Sequence, residues 1–595
     1  MLIGALAAVL GCTNARGSGF EVASGNAVSG SGSGAAPSGS GVFGGSIGIG
    51  GPEGGLPNGT LGAIGMQGGD ASAAAPPLSD IPPVLPCAAL CNDFPLTPIL
   101  YSDGVSPAPP PDSAARFGAP GGTGIGQGPC ILEPEVDSLF PRNWLRPRVH
   151  FSAGGGEDLF EVRIHTDREM NDLVAYTRAS SFYVPKPIWT AVTSHVGTPW
   201  PFSVTVRGIK STVAGAAPTT VSQSTFSIAP STATGTIVYW TTSGGSALKG
   251  FSVGDENVGG VLTPATANGQ CVGCHSSTPD GTFLAVSVTD DPANGDPARI
   301  ELRRGVAPND APAFVSPAAK TLLARDPQHI PTFSKAHWSS GDHLMVSSFS
   351  GGPFNHTEVI WTDLEATSIA EGTGWGKIAR NGDELNAAGY PAWSHDGQTI
   401  AYCSTPDANS SVNTISGNGK IYTVPFSNRA GATATPLTGA ADPAASQFYP
   451  SWSADDHFVG FTRTPALGRS DDNALSEVFI VPIIARATAV RLAANDPPTC
   501  SGQKSPGATN SYPKWSPRAQ TLDNKTYYWL VFSSRRNPEA GNNPQLYITG
   551  LVDNGGRVET HGAIYLWNQP ANEANHTPAW DSFEIPPTPP PQNPR

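Results

Sequence analysis

Charge is scarce in this sequence. Asp, Glu, Lys and Arg together make up 14% of 595 residues, against about 25% in an average soluble protein, which argues against a mostly helical molecule with solvated charged faces. Lys and Arg never gather into a run, and the formal net charge is −14. Nothing neutralises phosphates, so nucleic acid is excluded as a partner. No apolar stretch approaches the roughly 20 residues of a membrane-spanning helix. What the chain has instead is Gly (69) and Pro (58), a composition for strands, turns and unstructured stretches, over a length that allows two to four domains.

The first 12 residues form a short apolar leader without a basic start. Val9-Leu10-Gly11-Cys12 resembles the lipobox of bacterial lipoproteins, which implies an acylated Cys12, a membrane reached through that lipid, and a place in the periplasm or on the cell surface. Residues 13–130 read as a low-complexity linker rich in Gly, Ser, Ala and Pro, too poor in large apolar groups to offset the entropy of ordering it; its first part is expected to be a disordered tether. Cys87, Cys91 and Cys130 stand in its second half, where one disulfide among them would staple a loop. Residues 131–214 alternate with period two in "RVHFSA", "LFEVRIHT" and "FSVTVRG", which predicts a small β-sandwich. Residues 586–595 are a Pro-rich tail.

From 219 to 585 the chain repeats itself. "PAWSHDGQTIAYCS", "PSWSADDHFVGFTR", "PKWSPRAQTL", "AHWSSGDHLMVSS" and "PAWDSF" place Trp393, Trp452, Trp515, Trp338 and Trp580 at similar spacing, and Asp280-Gly281 aligns with Asp396-Gly397 to put Ser277 at a sixth such position. Each unit supplies an anchor, a tight turn and an apolar strand, the mark of a propeller or solenoid. Strands before the first anchor ("GTIVYWTT", "LKGFSVG") are available to complete the last unit, which predicts closure of six blades and removes exposed edges. Trp393-Ser394-His395-Asp396-Gly397 and Trp452-Ser453-Ala454-Asp455-Asp456 resemble the WD40-like repeat of TolB-type proteins. That resemblance implies an all-β fold with a six-bladed β-propeller, used in the family as a docking platform or as a gate on a separate hydrolase. No hydrolase domain accompanies the repeats, and the family lacks the motif described next, so its partners are not carried over.

Cys271-Val-Gly-Cys274-His275 has the spacing of a covalent haem c site: two thiols for the two vinyl groups and an adjacent His for the iron. The same residues also suit a disulfide, a redox dithiol, or zinc short of a fourth ligand. For the distal iron position the candidates are His329, His356 and Met345, with an open position as the alternative; Met345 lies in an alternating run where core packing is the commoner fate. His337 and His343 lie in the same unit. Asp280, Asp396, Asp455 and Asp456 fit turn chemistry, with Ca²⁺ a weak further reading. The expected function is electron transfer by one haem c with a redox protein or an envelope protein complex. The alternatives are a peroxidase-like haem oxidoreductase, and a non-haem scaffold that docks proteins or glycans at the cell envelope.

Overall fold

The computed structural model describes residues 83–586, except 120–123, 125, 244, 291–297, 306–311, 326, 407–416, 466–469 and 471. The leader at 1–12, most of the tether and nearly all of the tail therefore lie outside the described residues. The protein is all-β, with only short helices. Among the described residues no helix is long and apolar enough to cross a membrane.

Two sheets come first. Leu159–His165 lies at the middle of a six-stranded sheet, between Leu173–Thr177 and Trp200–Ile209, and the three-stranded sheet is Cys130–Glu133, Arg148–Ser152 and Ser181–Tyr183. Val162, Ile164 and Val204 from one sheet and Val149, Phe151 and Phe182 from the other share a core, with the Phe151 and Phe160 rings 4.8 Å apart. This region is larger than the expected 131–214. Ser222–Ile228 pairs with Trp200–Ile209, and Ile99–Tyr101, inside the stretch read as linker, pairs in parallel with Leu173–Thr177. The linker reading failed because composition averages over a segment, whereas Ile99, Leu100 and Tyr101 need only one open sheet edge to join.

Six antiparallel sheets follow. Their first strands are Cys271–Ser277, Gln328–Thr332, Ala387–Trp393, Ala445–Trp452, Ser511–Trp515 and Asn575–Asp581. These strands touch one another in sequence order, and the last touches the first. Asn575–Asp581 is laid against Thr236–Thr241, so one sheet combines the last strand of the chain with three from the start of the repeats.

The repeat motif makes its turn by local side-chain bonding. Ser394 Oγ donates to Asp396 Oδ1 (2.6 Å), which also accepts from Gln398 N (2.9 Å); Ser453 and Asp455 repeat the pattern (2.7 Å), as do Thr278 and Asp280 (2.5 Å). These carboxylates are thus engaged in capping their own turns. The next residue is left-handed: Gly281 at φ +74°, Gly397 at +76°, Asp456 at +58°. Gly281 is doubly required, since a Cβ there would stand 2.2 Å from Ser582 O.

The tryptophans join neighbouring sheets. Trp452 Nε1 donates to Ala392 O (2.9 Å) and Trp515 Nε1 to Ser451 O (3.0 Å), each reaching the first strand of the preceding sheet. Trp452→Phe keeps the ring and orphans that buried carbonyl, so a loss of about 1–2 kcal/mol is expected in urea unfolding. Trp393 Nε1 instead donates to Gly397 O in its own turn (3.0 Å), and Trp338 departs in position. It sits on the helix Lys335–Ser339, and Phe333 follows the inner strand at the anchor position, its ring 5.5 Å from Trp338.

The two-sheet region is bound to the repeats rather than tethered to them. Cys130 is disulfide-bonded to Cys500, and Cys87 to Cys91. Glu135 and Arg536 form a buried two-oxygen ion pair at 3.0 Å, and the Trp144 and Trp580 rings lie 5.7 Å apart in the shared core.

Candidate functional site

The inner strands do not run straight. Five of them carry a non-glycine residue in the left-handed region, each followed by proline: Ile330, Tyr390, Tyr449, Tyr512 and Thr577, at φ between +49° and +59°. Each strand slips register at or beside this place. Such φ values are uncommon outside glycine and strained for β-branched Ile330 and Thr577. In the sixth inner strand the slip falls between Val272 and His275, so that Gly273-Cys274 occupies the place held elsewhere by the left-handed residue and its proline.

The result is a cavity of about 130 Å³, lined by Cys274, His275, His329, Tyr390, Lys514 and His576 among others. Ligand pockets generally run about 300–1,000 Å³, so a group as large as haem enters only where the lining side chains move apart. One wall is a run of rings: Tyr390 to Tyr449 at 4.5 Å, Tyr449 to Tyr512 at 4.3 Å, Tyr512 to His576 at 6.3 Å, His576 to Trp240 at 4.8 Å. A second cavity adjoins it, with Ser276, Thr332 and Lys514 on both linings.

Burial sets the protonation states. Desolvation lowers the His275 pKa and holds His329 near 4 and His576 near 3, so all three rings are neutral at pH 7. His275 places Nε2 3.1 Å from Val238 O and Nδ1 3.0 Å from Gly273 O. A neutral imidazole has one N–H, so one of these contacts sets a nitrogen lone pair against a carbonyl oxygen. His329 is 6% exposed and faces the cavity, and burial alone accounts for its shift. Burial pushes the Cys274 thiol up to about 11, against the opposing effect of Lys514. The Lys514 ammonium is lowered by the same dryness.

The fold separates the other candidates from this place. Met345 is fully buried in a core with Ala285, Ile300 and Trp338. His356 Nε2 lies 3.1 Å from Glu358 Oε1 in a buried charge network with Arg380, and neither residue lines the cavity. His337 and His343 pair with Asp342 and Glu365. Cys271 is 2% exposed in the core between its own sheet and the preceding one, and its sulfur is in a disulfide whose partner is not Cys274, which keeps its thiol. In an extended strand, residues three apart project to opposite faces. A haem finds a thiol and two imidazoles in Cys274, His275 and His329, which line one cavity. It fits Cys271 only once that disulfide is opened, since one sulfur cannot hold both bonds.

Trp240, Lys514, His576 and the three tyrosines were missed from sequence. For the three tyrosines the available signal was the residue immediately before each repeated proline.

The neutral His576 gives the cavity an acid sensitivity. A buried histidine with a depressed folded pKa contributes fully above its unfolded value near 6.5 and loses about 1.4 kcal/mol per pH unit as pH falls toward the folded one. Unfolding midpoints at pH 7 and pH 5 are expected to differ by about 2 kcal/mol less in His576→Phe than in the unaltered protein.

No family model matches this chain, and no curated protein does. Among solved structures it is similar to hydrazine synthase of Kuenenia stuttgartiensis (TM-score 0.37, 11% identity, covering 59% of this chain and 47% of that one). It is also similar to a puromycin-hydrolysing peptidase of Mycobacterium tuberculosis (0.29, 13%, 61% and 52%). The chain spans about half the length of each.

Proposed function

We propose that the six sheets are the blades of a six-bladed β-propeller and that the cavity at its inner strands holds one haem c, making this an electron-transfer protein. The observation that carries the reading is the convergence of Cys274, His275 and His329 on the lining of a single cavity. Cys274 would form a thioether, His275 and His329 would hold the iron from two neighbouring inner strands, and the bound group supplies one-electron redox chemistry. The chain's own contribution is to keep water out, keep both imidazoles neutral, and set the tyrosine wall and the Lys514 cation beside the group. A redox protein or envelope complex is the partner this function needs, and a lipid on Cys12 the means of holding it near a membrane.

Intact mass of protein matured with haem-attachment machinery tests it. One added haem is expected, lost in Cys274→Ser. Unmodified mass in a competent host would leave only a docking scaffold.

A further inference from the structure

Outside that cavity, residues 85–94 are held against the two-sheet region by a cluster that no repeat or motif announced. Cys91 N donates to Arg168 O (2.8 Å) and Cys91 O accepts from Met170 N (2.9 Å), which places Glu169 beside it. Glu169 Oε2 accepts from Asp93 N (2.9 Å). Its Oε1 has no hydrogen-bond partner, although the residue is 6% exposed. Asp93 Oδ2 is likewise without a hydrogen bond and stands 3.2 Å from His195 Nε2. The other ring nitrogen, Nδ1, contacts Leu85 O, and a ring that donates from Nδ1 directs the lone pair of Nε2 at Asp93. Burial and the facing Asp93 both raise the Glu169 carboxyl pKa. Acceptors here outnumber donors.

Sulfur completes the arrangement. One ligand atom each from Cys87, Cys91 and His195 lie within 4.8 Å of one another, and so do those of Cys91, Asp93 and Glu169. Cys91 belongs to both groups. Cys87 and Cys91 are four residues apart, a spacing common in zinc sites. Two thiolates with an imidazole select zinc over calcium or magnesium, and a histidine fixed through its second nitrogen by a backbone carbonyl is the usual support of a metal ligand.

We propose that this is a redox-gated zinc site: on reduction of the Cys87–Cys91 disulfide, Cys87, Cys91 and His195 bind Zn²⁺ with Asp93 as fourth ligand, and Glu169 stays in the outer sphere. A dithiol reductant supplies two electrons and two protons to the S–S bond and becomes a disulfide. Zn²⁺ then displaces the two thiol protons as two Zn–S bonds form. In the oxidised protein the two sulfurs are bonded to each other and the site is closed.

The full chain, with and without dithiol treatment, is titrated with Zn²⁺ and read by native mass spectrometry and by iodoacetamide labelling of each cysteine. One Zn²⁺ is expected in the reduced protein only, with Cys87 and Cys91 protected from alkylation. Affinity is expected to fall by at least about 100-fold in Cys87→Ser and in His195→Gln, since each removes a ligand and loss of even a supporting partner costs about 10–100-fold. Equal labelling of Cys87 and Cys91 with and without Zn²⁺ would overturn the proposal, and needs no variant that folds. So would uptake unchanged in both variants, or full reduction with no uptake.

Discussion

Replacing His329 with leucine is expected to convert the matured protein from a six-coordinate, low-spin spectrum to a high-spin one, and to raise its affinity for cyanide by about 100-fold or more. The expectation follows from what surrounds the ring. His329 is buried, burial alone explains its neutrality at pH 7, and it faces the cavity that Cys274 and His275 also line. Neither of the other sequence candidates stands ready to replace it, and His576 is the one further imidazole among the described residues on the same lining. Met345 is packed in a core on another side of its strand, and His356 is held by Glu358. Leucine has nearly the same bulk, so packing loss is small, and absorption spectra with cyanide titration separate coordination from folding. An unaltered spectrum in the variant removes His329 from the iron. High-spin spectra with tight cyanide binding already in the unaltered protein would favour an oxidoreductase with an open position.

Arg536→Met is expected to cost about 3–5 kcal/mol, measured in guanidinium with the Cys130–Cys500 disulfide intact. Arg536 leaves the repeats to meet Glu135 of the two-sheet region, and also donates to Ala494 O, Asn495 O and Asn510 Oδ1. Removing the guanidinium strands a buried carboxylate and three acceptors at once, and an unpaired buried group costs its full desolvation. Arg536→Met with Glu135→Met together is expected to cost less than the arginine change alone. Additive costs would mean that the two side chains do not stabilise each other.

The repeats were readable because their signal is local. A Ser or Thr with an Asp two residues on makes a turn that any matching tetrapeptide announces, as Ser394-Asp396 and Ser453-Asp455 do. Even so, the anchor in one unit was misplaced, because a short helix separates Phe333 from the Asp-Gly-like turn and presents Trp338 as a decoy. The cavity was half legible. Cys274 and His275 form a motif, but Tyr390, Tyr449 and Tyr512 reach the same cavity through a backbone twist that leaves no composition signal. Aligning the units from proline onward began one residue after the position that matters. The disulfide pairing of Cys130 was beyond sequence reach, since Cys500 is 370 residues away, and the extra sheet strands at 99–101 and 222–228 are defined by their partners rather than by their own pattern.

Because Asn575–Asp581 lies against Thr236–Thr241, the sheet that opens the repeats stays incomplete until residues 575–581 have been made. Until then Thr236–Thr241 offers an uncovered edge, a template for other extended chains. A growing chain of this kind has reason to depend on holdase chaperones throughout synthesis. Release from them would come only once residues 575–581 have emerged.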